Sequence, residues 1–240
     1  MDLELQVAVA KVSKYAVSES GDTVETIERP HGGLSLVLVD GQRSGKSAKA
    51  ISNLVARKAV SLLADGVRDG AAARAAHDYL RTMRSGQVSA TLNIVSVDLG
   101  TQTIVISRNS HCPVLVVQGQ EGALHLLDEP SEAIGIHPRT RPVISEIPIA
   151  KDLHVVVFTD GVLSAGERVG QRLDVPAFVH EQLPLCAGET CARALADALL
   201  NRAVELDQGR PTDDISVVVV SVVARQQPDT VRRLSVRFPI

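Results

Sequence analysis

Residues Leu34–Gly41 read LSLVLVDG, an apolar run that ends abruptly at an acidic residue and a glycine. The run is short and rich in Leu and Val, which is typical of a buried β-strand. A charged Asp40 at the end of a buried strand is unfavourable unless a partner neutralises it. A metal ion is one such partner, and Gly41 would let an ion approach the backbone closely.

Other parts of the chain repeat this arrangement. Residues 154–161 read HVVVFTDG, and residues 211–220 read PTDDISVVVV, in which the acids precede the apolar run. A further acid follows a glycine in a polar turn, although an Asp in that position is also what an ordinary turn contains. Oxygen ligands at several strand ends predict one shared site for a hard cation such as Mg²⁺ or Mn²⁺. The acids concerned are Asp22, Asp40, Asp160 and Asp213.

The composition is that of one globular domain. The chain has 240 residues, of which 45% are hydrophobic and 22% charged, so residues 1–240 are expected to form a single domain with a sizeable core. The three cysteines (Cys112, Cys186 and Cys191) are widely scattered and match neither a zinc pattern nor a disulfide framework. They are expected to be small core or loop residues.

Charge and hydropathy also limit the kinds of partner. The formal net charge is −3 and only 2% of the residues are aromatic, so neither a basic footprint nor stacking platforms for nucleic acid are evident. No apolar run approaches the roughly 18 residues of a membrane-spanning helix, and no signal peptide is recognisable at the N-terminus. These features predict a cytoplasmic protein with no nucleic-acid or membrane partner.

The order of the predicted elements indicates an α+β fold. Short strands separated by Gly-containing turns occupy the middle of the chain, which indicates an antiparallel meander. The prediction is a layered αββα sandwich, with two antiparallel sheets flanked by pairs of helices. The predicted helices are 46–64, 71–84, 175–183 and 189–207; the predicted strands are 3–17, 34–41, 88–99, 103–107, 114–118, 123–127, 143–148, 153–158, 215–223 and an edge strand at 231–238. Residues 18–33 are expected to form a loop or a hairpin return.

A P-loop is the first alternative interpretation of the opening stretch. Residues 45–47 read GKS after a strand and before a helix, like the end of a phosphate-binding loop. That motif requires a glycine where the chain has Asp40, and a carboxylate there would repel phosphate. The antiparallel middle of the chain also conflicts with the parallel sheet of P-loop proteins. An NTPase is therefore disfavoured, and ATP binding would revive it.

Four motifs together resemble the metal-dependent serine/threonine phosphatases of the PPM family, and within it the bacterial SpoIIE and RsbX branch. They are SGD at 20–22, VDG at 39–41, FTDG at 158–161 and TDDIS at 212–216. The resemblance extends along essentially the whole chain and includes SATL at 89–92, NSHCP at 109–113 and AIGI at 133–136.

This resemblance implies a phosphatase that hydrolyses phosphoserine or phosphothreonine through a metal-activated water, with two divalent cations, Mn²⁺ or Mg²⁺. It implies catalytic roles for Asp40, Asp160 and Asp213. The same three residues, with Asp22 and the Gly41 carbonyl, are the implied metal ligands. A signalling phosphoprotein is the implied substrate, such as a STAS-domain anti-sigma-factor antagonist or a stressosome component.

Some roles have two interpretations at this point. The phosphate-binding Arg of eukaryotic relatives has no evident counterpart, and Arg43 or Lys46 is either its substitute or a solvated cation at the helix start. Asp214 is expected to accept hydrogen bonds rather than to bind the metal, and His111 to shape a hairpin. A catalytically silent regulator with the same fold is the second functional hypothesis.

Overall fold

The computed structural model describes residues 3–30, 32–119, 122–186, 190–225 and 230–237. This part of the chain contains ten strands and five α-helices. The strands are β1 (Leu3–Val12), β2 (Asp22–Glu28), β3 (Leu34–Gly41), β4 (Ala90–Asp98), β5 (Thr103–Asn109), β6 (Val114–Gln118), β7 (Ala123–Leu127), β8 (Val143–Pro148), β9 (Leu153–Phe158) and β10 (Ile215–Ala224). The helices are α1 (Gly45–Ala64), α2 (Asp69–Met83), α3 (Asp160–Leu163), α4 (Val175–Gln182) and α5 (Cys191–Leu206).

The strands form two five-stranded antiparallel sheets. The first has the order β1-β10-β9-β6-β7 and the second has the order β2-β3-β4-β5-β8. Successive side chains of a strand point to opposite faces of the sheet. Since consecutive residues of strand β3 are buried, both of its faces are covered. Leu36 and Leu38 pack between the sheets, whereas Val37 and Val39 pack beneath helix α1. The predicted α+β architecture of two antiparallel sheets is confirmed.

Helices cover the outer face of each sheet. Helices α1 and α2 pack on the second sheet through small and branched side chains such as Val55, Ala59 and Leu80. Helix α5 packs on the first sheet through Leu195 and Leu199. The layers therefore follow the predicted αββα order, and the interior is built from Val, Leu, Ile and Ala. Within the described ranges, no helix combines the length and the apolar character needed to cross a bilayer.

Some sequence predictions differ from the structure. Residues 18–33, expected to form a loop or a hairpin return, contain strand β2, whose polar sequence DTVETIE pairs residue by residue with β3, so the hairpin is the correct alternative. The strand expected at 3–17 ends at Val12. The expected edge strand 231–238 is not a strand over residues 230–237, where Leu234 is 81% exposed; Phe238 lies outside the described residues. A segment forms a strand only where its backbone pairs with a neighbouring strand. The pattern of apolar and polar residues within the segment does not show whether such a neighbouring strand is present.

Removing a side chain from between the sheets tests this packing. Leu36 is 2% exposed, so Leu36→Ala should lower the free energy of unfolding by about 2–5 kcal/mol. The matched control is Leu126→Ala on strand β7, where the side chain is 38% exposed and the loss should be clearly smaller. Urea unfolding of both variants measures the difference, and equal losses would contradict the assigned layers.

Candidate metal centre

Acidic residues from both sheets meet at one end of the sandwich. The antiparallel register of β2 and β3 places Asp22 opposite Asp40, while β9 and β10 of the other sheet lead to Asp160 and Asp213. A cleft of about 370 Å³ opens at this end. Its lining contains Asp40, Gly41, Asp160 and Asp213, together with Lys14, Gln42, Arg43, Ser44, Ser89, Ala90, Thr91, His111 and Ala133.

Asp22 lies in the interior and is absent from the cleft lining. Its Oδ2 accepts hydrogen bonds from Ser216 Oγ at 2.6 Å and from Thr159 Oγ1 at 3.1 Å. Its Oδ1 is buried and has no hydrogen-bond partner in the described part of the chain. Because Ser216 lies on β10 and Thr159 directly follows β9, this carboxylate joins the two sheets directly below the cleft.

Asp214 organises the connection between β1 and β2. Its Oδ1 accepts a hydrogen bond from the Lys14 backbone N–H at 2.9 Å, and its Oδ2 accepts one from the Gly21 N–H at 2.8 Å. Both carboxylate oxygens are thus engaged by backbone groups, as the sequence interpretation of Asp214 as an acceptor requires. Asp214 fixes the segment that carries Lys14 against the start of β10.

Burial and mutual repulsion dominate the electrostatics of the cluster. Burial, together with the charges of Asp22, Asp160, Asp213 and Asp214, raises the pKa of Asp40 to about 9. Burial also raises the pKa of Asp22 to about 6, although its hydrogen bonds from Ser216 and Thr159 act in the opposite direction. The pKa of Asp213 is raised as well, chiefly by burial. Carboxylates that repel one another favour a bound proton or a bound cation.

The oxygen donors at the cleft suit a hard cation that keeps some of its water ligands better than a cation bound entirely by protein ligands. Across the described ranges, no three Asp, Glu, His or Cys side chains are close enough together to hold an ion by themselves. Mg²⁺ commonly keeps several waters and uses only one or two carboxylates, so a complete cage is not required. The unpartnered Oδ1 of Asp22 and the clustered acids around Asp40 are oxygen donors of the right kind.

The glycines that follow Asp40 and Asp160 are required by close packing. A Cβ on Gly41 would lie 2.2 Å from the Ala48 carbonyl oxygen of helix α1, and one on Gly161 would lie 2.2 Å from the Asp214 carbonyl oxygen. Any larger residue would push the acidic strand ends away from these neighbours. Helix α1 therefore rests directly on the residue that follows Asp40, which the sequence motif alone did not explain.

The sequence analysis identified only part of the charged lining. Arg43 lines the cleft with a backbone φ of 77°, whereas Lys46 is exposed and lies outside the lining. Lys14 lines the cleft and was missed. His111 also lines it, with Nε2 3.8 Å from Asp160 Oδ2, although the sequence indicated a hairpin role only. Neither residue has a local signal, because chain segments distant in sequence bring them to Asp160 and Asp213.

Comparison with known families and structures supports this architecture. The family model described as stage II sporulation protein E (SpoIIE) matches residues 30–223. No curated protein matches the chain.

Several solved structures share the fold. The PP2C phosphatase domain of SpoIIE from Bacillus subtilis, with a fragment of its regulatory domain, superposes with a TM-score of 0.77 at 18% identity; the match covers 91% of this chain and 63% of that one. The catalytic domain of the phosphatase PstP in complex with two manganese ions gives 0.69 at 16% identity, covering 92% and 99%. RsbX in complex with magnesium gives 0.64 at 15% identity, covering 91% and 95%. These likenesses show that the chain has a PP2C phosphatase fold. The chain covers less than two thirds of the length of the SpoIIE structure that includes the regulatory fragment.

The raised carboxylate pKa values predict how stability depends on pH in EDTA. Between the ordinary Asp pKa of 3.8 and its own pKa of about 9, Asp40 holds a proton in the folded protein and is ionised in the unfolded chain. The contribution of Asp40 to stability should therefore fall as pH rises through this window. Asp40→Asn removes the largest contribution and should flatten the profile. Urea unfolding at several pH values measures both proteins, and two equally steep profiles would contradict the assignment.

Proposed function

Because the chain belongs to the SpoIIE family, we propose that it is a metal-dependent phosphatase that hydrolyses phosphoserine or phosphothreonine in proteins. The observation that carries the proposal is the convergence of Asp40, Gly41, Asp160 and Asp213 on one open cleft. Burial, with repulsion from the neighbouring acids, raises the pKa of Asp40 to about 9. A cluster of carboxylates that repel one another favours the binding of cations. Metal-assisted hydrolysis of a phosphate ester requires such bound cations.

We assign the metal ligands to Asp22, Asp40, Asp160, Asp213 and the carbonyl oxygen of Gly41. Two divalent cations, Mn²⁺ or Mg²⁺, would neutralise the phosphoryl oxygens and activate water. The catalytic contribution of Asp40, Asp160 and Asp213 is to hold that charge at the cleft. Asp22 contributes from below, where its hydrogen bonds to Thr159 and Ser216 fix its position.

Cations at the rim would bind the phosphorylated side chain. Arg43 lines the cleft and is exposed, so it can reach a phosphate that enters the cleft. Lys46 lies outside the lining and is the weaker of the two sequence candidates. An open cleft suits a phosphoserine or phosphothreonine presented on the surface of another protein.

The substrate we propose is a signalling phosphoprotein, with a STAS-domain anti-sigma-factor antagonist or a stressosome component as the leading class. Membership of the SpoIIE family supports this class. We further propose that residues 1–240 act as a single catalytic domain in the cytoplasm. Both sheets contribute acids to one cleft, which supports the single domain.

A binding-only regulator is the second candidate function. It is favoured by one observation: no three potential ligands form a ready cation cage in the described part of the chain. The P-loop alternative has no such support, because β3 lies between two antiparallel neighbours, β2 and β4.

Hydrolysis of p-nitrophenyl phosphate and of a phosphoserine protein tests the enzyme directly. Activity should require Mn²⁺ or Mg²⁺, stop in EDTA and fall at least about 100-fold in Asp40→Asn, because the substitution removes a ligand charge. Asp197→Asn on the exposed face of α5 is the matched control and should keep its activity. A folded wild-type protein without turnover on either substrate would favour the regulator.

The two candidate phosphate contacts can be separated kinetically. Arg43→Ala should raise KM for the phosphoserine protein about tenfold, since a charge-assisted hydrogen bond is lost. Lys46→Ala should leave KM within about twofold of wild type, because Lys46 does not line the cleft. An unchanged KM in Arg43→Ala would exclude Arg43 as a phosphate contact.

A further inference from the structure

A serine that follows two arginines lies in an exposed segment of the chain. Residues 231–237 read VRRLSVR. Arg232 and Arg233 stand three and two residues before Ser235, and Val236 follows it. Among all the Ser and Thr residues of the sequence, Ser235 alone has basic residues at both of these positions. Arginines placed in this way form the charge pattern by which basophilic serine kinases select their substrates.

The backbone around Ser235 is accessible to a modifying enzyme. Residues 230–237 form neither helix nor strand, and each of them is exposed. Leu234 and Val236, on either side of Ser235, are 81% and 80% exposed. Because no sheet holds this backbone, an enzyme that binds an extended peptide can take up the segment without unfolding the sandwich. The edge strand predicted from the sequence would have kept the same backbone in a sheet.

An ion pair joins the segment to strand β2. Arg232 Nη1 lies 3.0 Å from Oε2 of Glu28, the last residue of β2. Both side chains are mostly exposed, and an ion pair in water contributes little to stability because solvent screens it. Arg232 can therefore exchange Glu28 for a carboxylate of another protein at little cost. Arg233 Nη1 donates to the Val231 carbonyl oxygen at 3.4 Å, which is a contact within the segment itself.

Ser61 provides a contrast within the same chain. It is exposed and follows Lys58 by three residues and Arg57 by four, which is a partial match to the charge pattern. Ser61 lies inside helix α1, however, and a hydrogen-bonded helical backbone cannot extend into the cleft of a kinase without local unfolding. Ser235 therefore combines the charge pattern with an accessible backbone, whereas Ser61 lacks the accessible backbone.

We propose that Ser235 is a phosphorylation site for a basophilic serine kinase that uses ATP. Arg232 and Arg233 pair with acidic side chains of the kinase, and Val236 enters an apolar pocket beside the reacting hydroxyl. Ser235 Oγ attacks the γ-phosphorus of ATP and forms a new O–P bond, while the bond from that phosphorus to the bridging β,γ-oxygen breaks and releases ADP. The hydroxyl proton passes to the catalytic Asp of the kinase.

This site is independent of the proposed phosphatase reaction. Ser235 does not line the cleft, and a separate enzyme supplies the phosphate. The proposed activity bears only on the assay, because a second copy of the chain would be able to remove phosphate from an exposed phosphoserine. Asp40→Asn, which is expected to lack that activity, is therefore assayed beside wild type. Failure of the proposed function would leave the result for Ser235 unchanged.

The test is incubation of the folded chain with ATP, Mg²⁺ and the catalytic subunit of cyclic-AMP-dependent protein kinase, a kinase that selects arginines at these two positions. Mass spectrometry of the Asp40→Asn protein should show one added phosphate, and peptide mapping should place it on Ser235. An acidophilic kinase of the casein kinase type should leave Ser235 unmodified. No phosphate on Ser235 with the first kinase, or a phosphate mainly on another residue such as Ser61, would overturn the proposal.

Surface variants of the Asp40→Asn protein locate the recognition. Ser235→Ala should remain unphosphorylated, and Arg232→Ala should react at least about tenfold more slowly, because a charge-assisted pair with the kinase is lost. Arg202→Ala, which removes an exposed arginine of α5, is the matched control and should react at the unchanged rate. Glu28→Gln should react at least as fast, since Arg232 no longer pairs with Glu28. Equal rates in Arg232→Ala and Arg202→Ala would overturn the proposal, because the kinase would then not be reading the arginine pattern.

Discussion

The buried carboxylate of Asp22 is the interaction on which the functional end of the sandwich depends. It begins β2 in one sheet and accepts hydrogen bonds from Thr159 and Ser216 of the other sheet. A carboxylate inside the core is unfavourable unless it is hydrogen-bonded, and charge-assisted bonds of this kind are among the stronger ones. Because β2 pairs with β3 in register, fixing Asp22 also fixes Asp40 opposite it.

The same arrangement concentrates like charges. Burial and the neighbouring carboxylates raise the pKa of Asp40 to about 9, so the site opposes the stability that the Val- and Leu-rich interior supplies. Such local conflict is typical of functional sites, since natural proteins accept unfavourable interactions there and offset them elsewhere. Close backbone packing at Gly41 and Gly161 keeps the acidic strand ends in place against this repulsion.

Strands β9 and β10 carry polar groups near both of their ends. At one end they lead to Asp160 and Asp213, and at the other they carry His154 and Ser221 beneath Cys191. A long, fully buried pair of strands can therefore support separate polar clusters at opposite ends while its middle remains apolar.

The sequence by itself determined most of the strands, most helix boundaries to within about two residues, the αββα order and the acids that end the strands. Apolar periodicity and Asp-Gly steps are local properties, so they are visible without a structure. Only the tertiary structure decided that the polar segment 22–28 is a strand, that Lys14 and His111 line the cleft, and that Cys191 lies beside His154. Each of these features depends on which segments pair or pack together in the folded protein. The local sequence of a segment does not show its neighbours, whereas strand register and helix packing in the structure do.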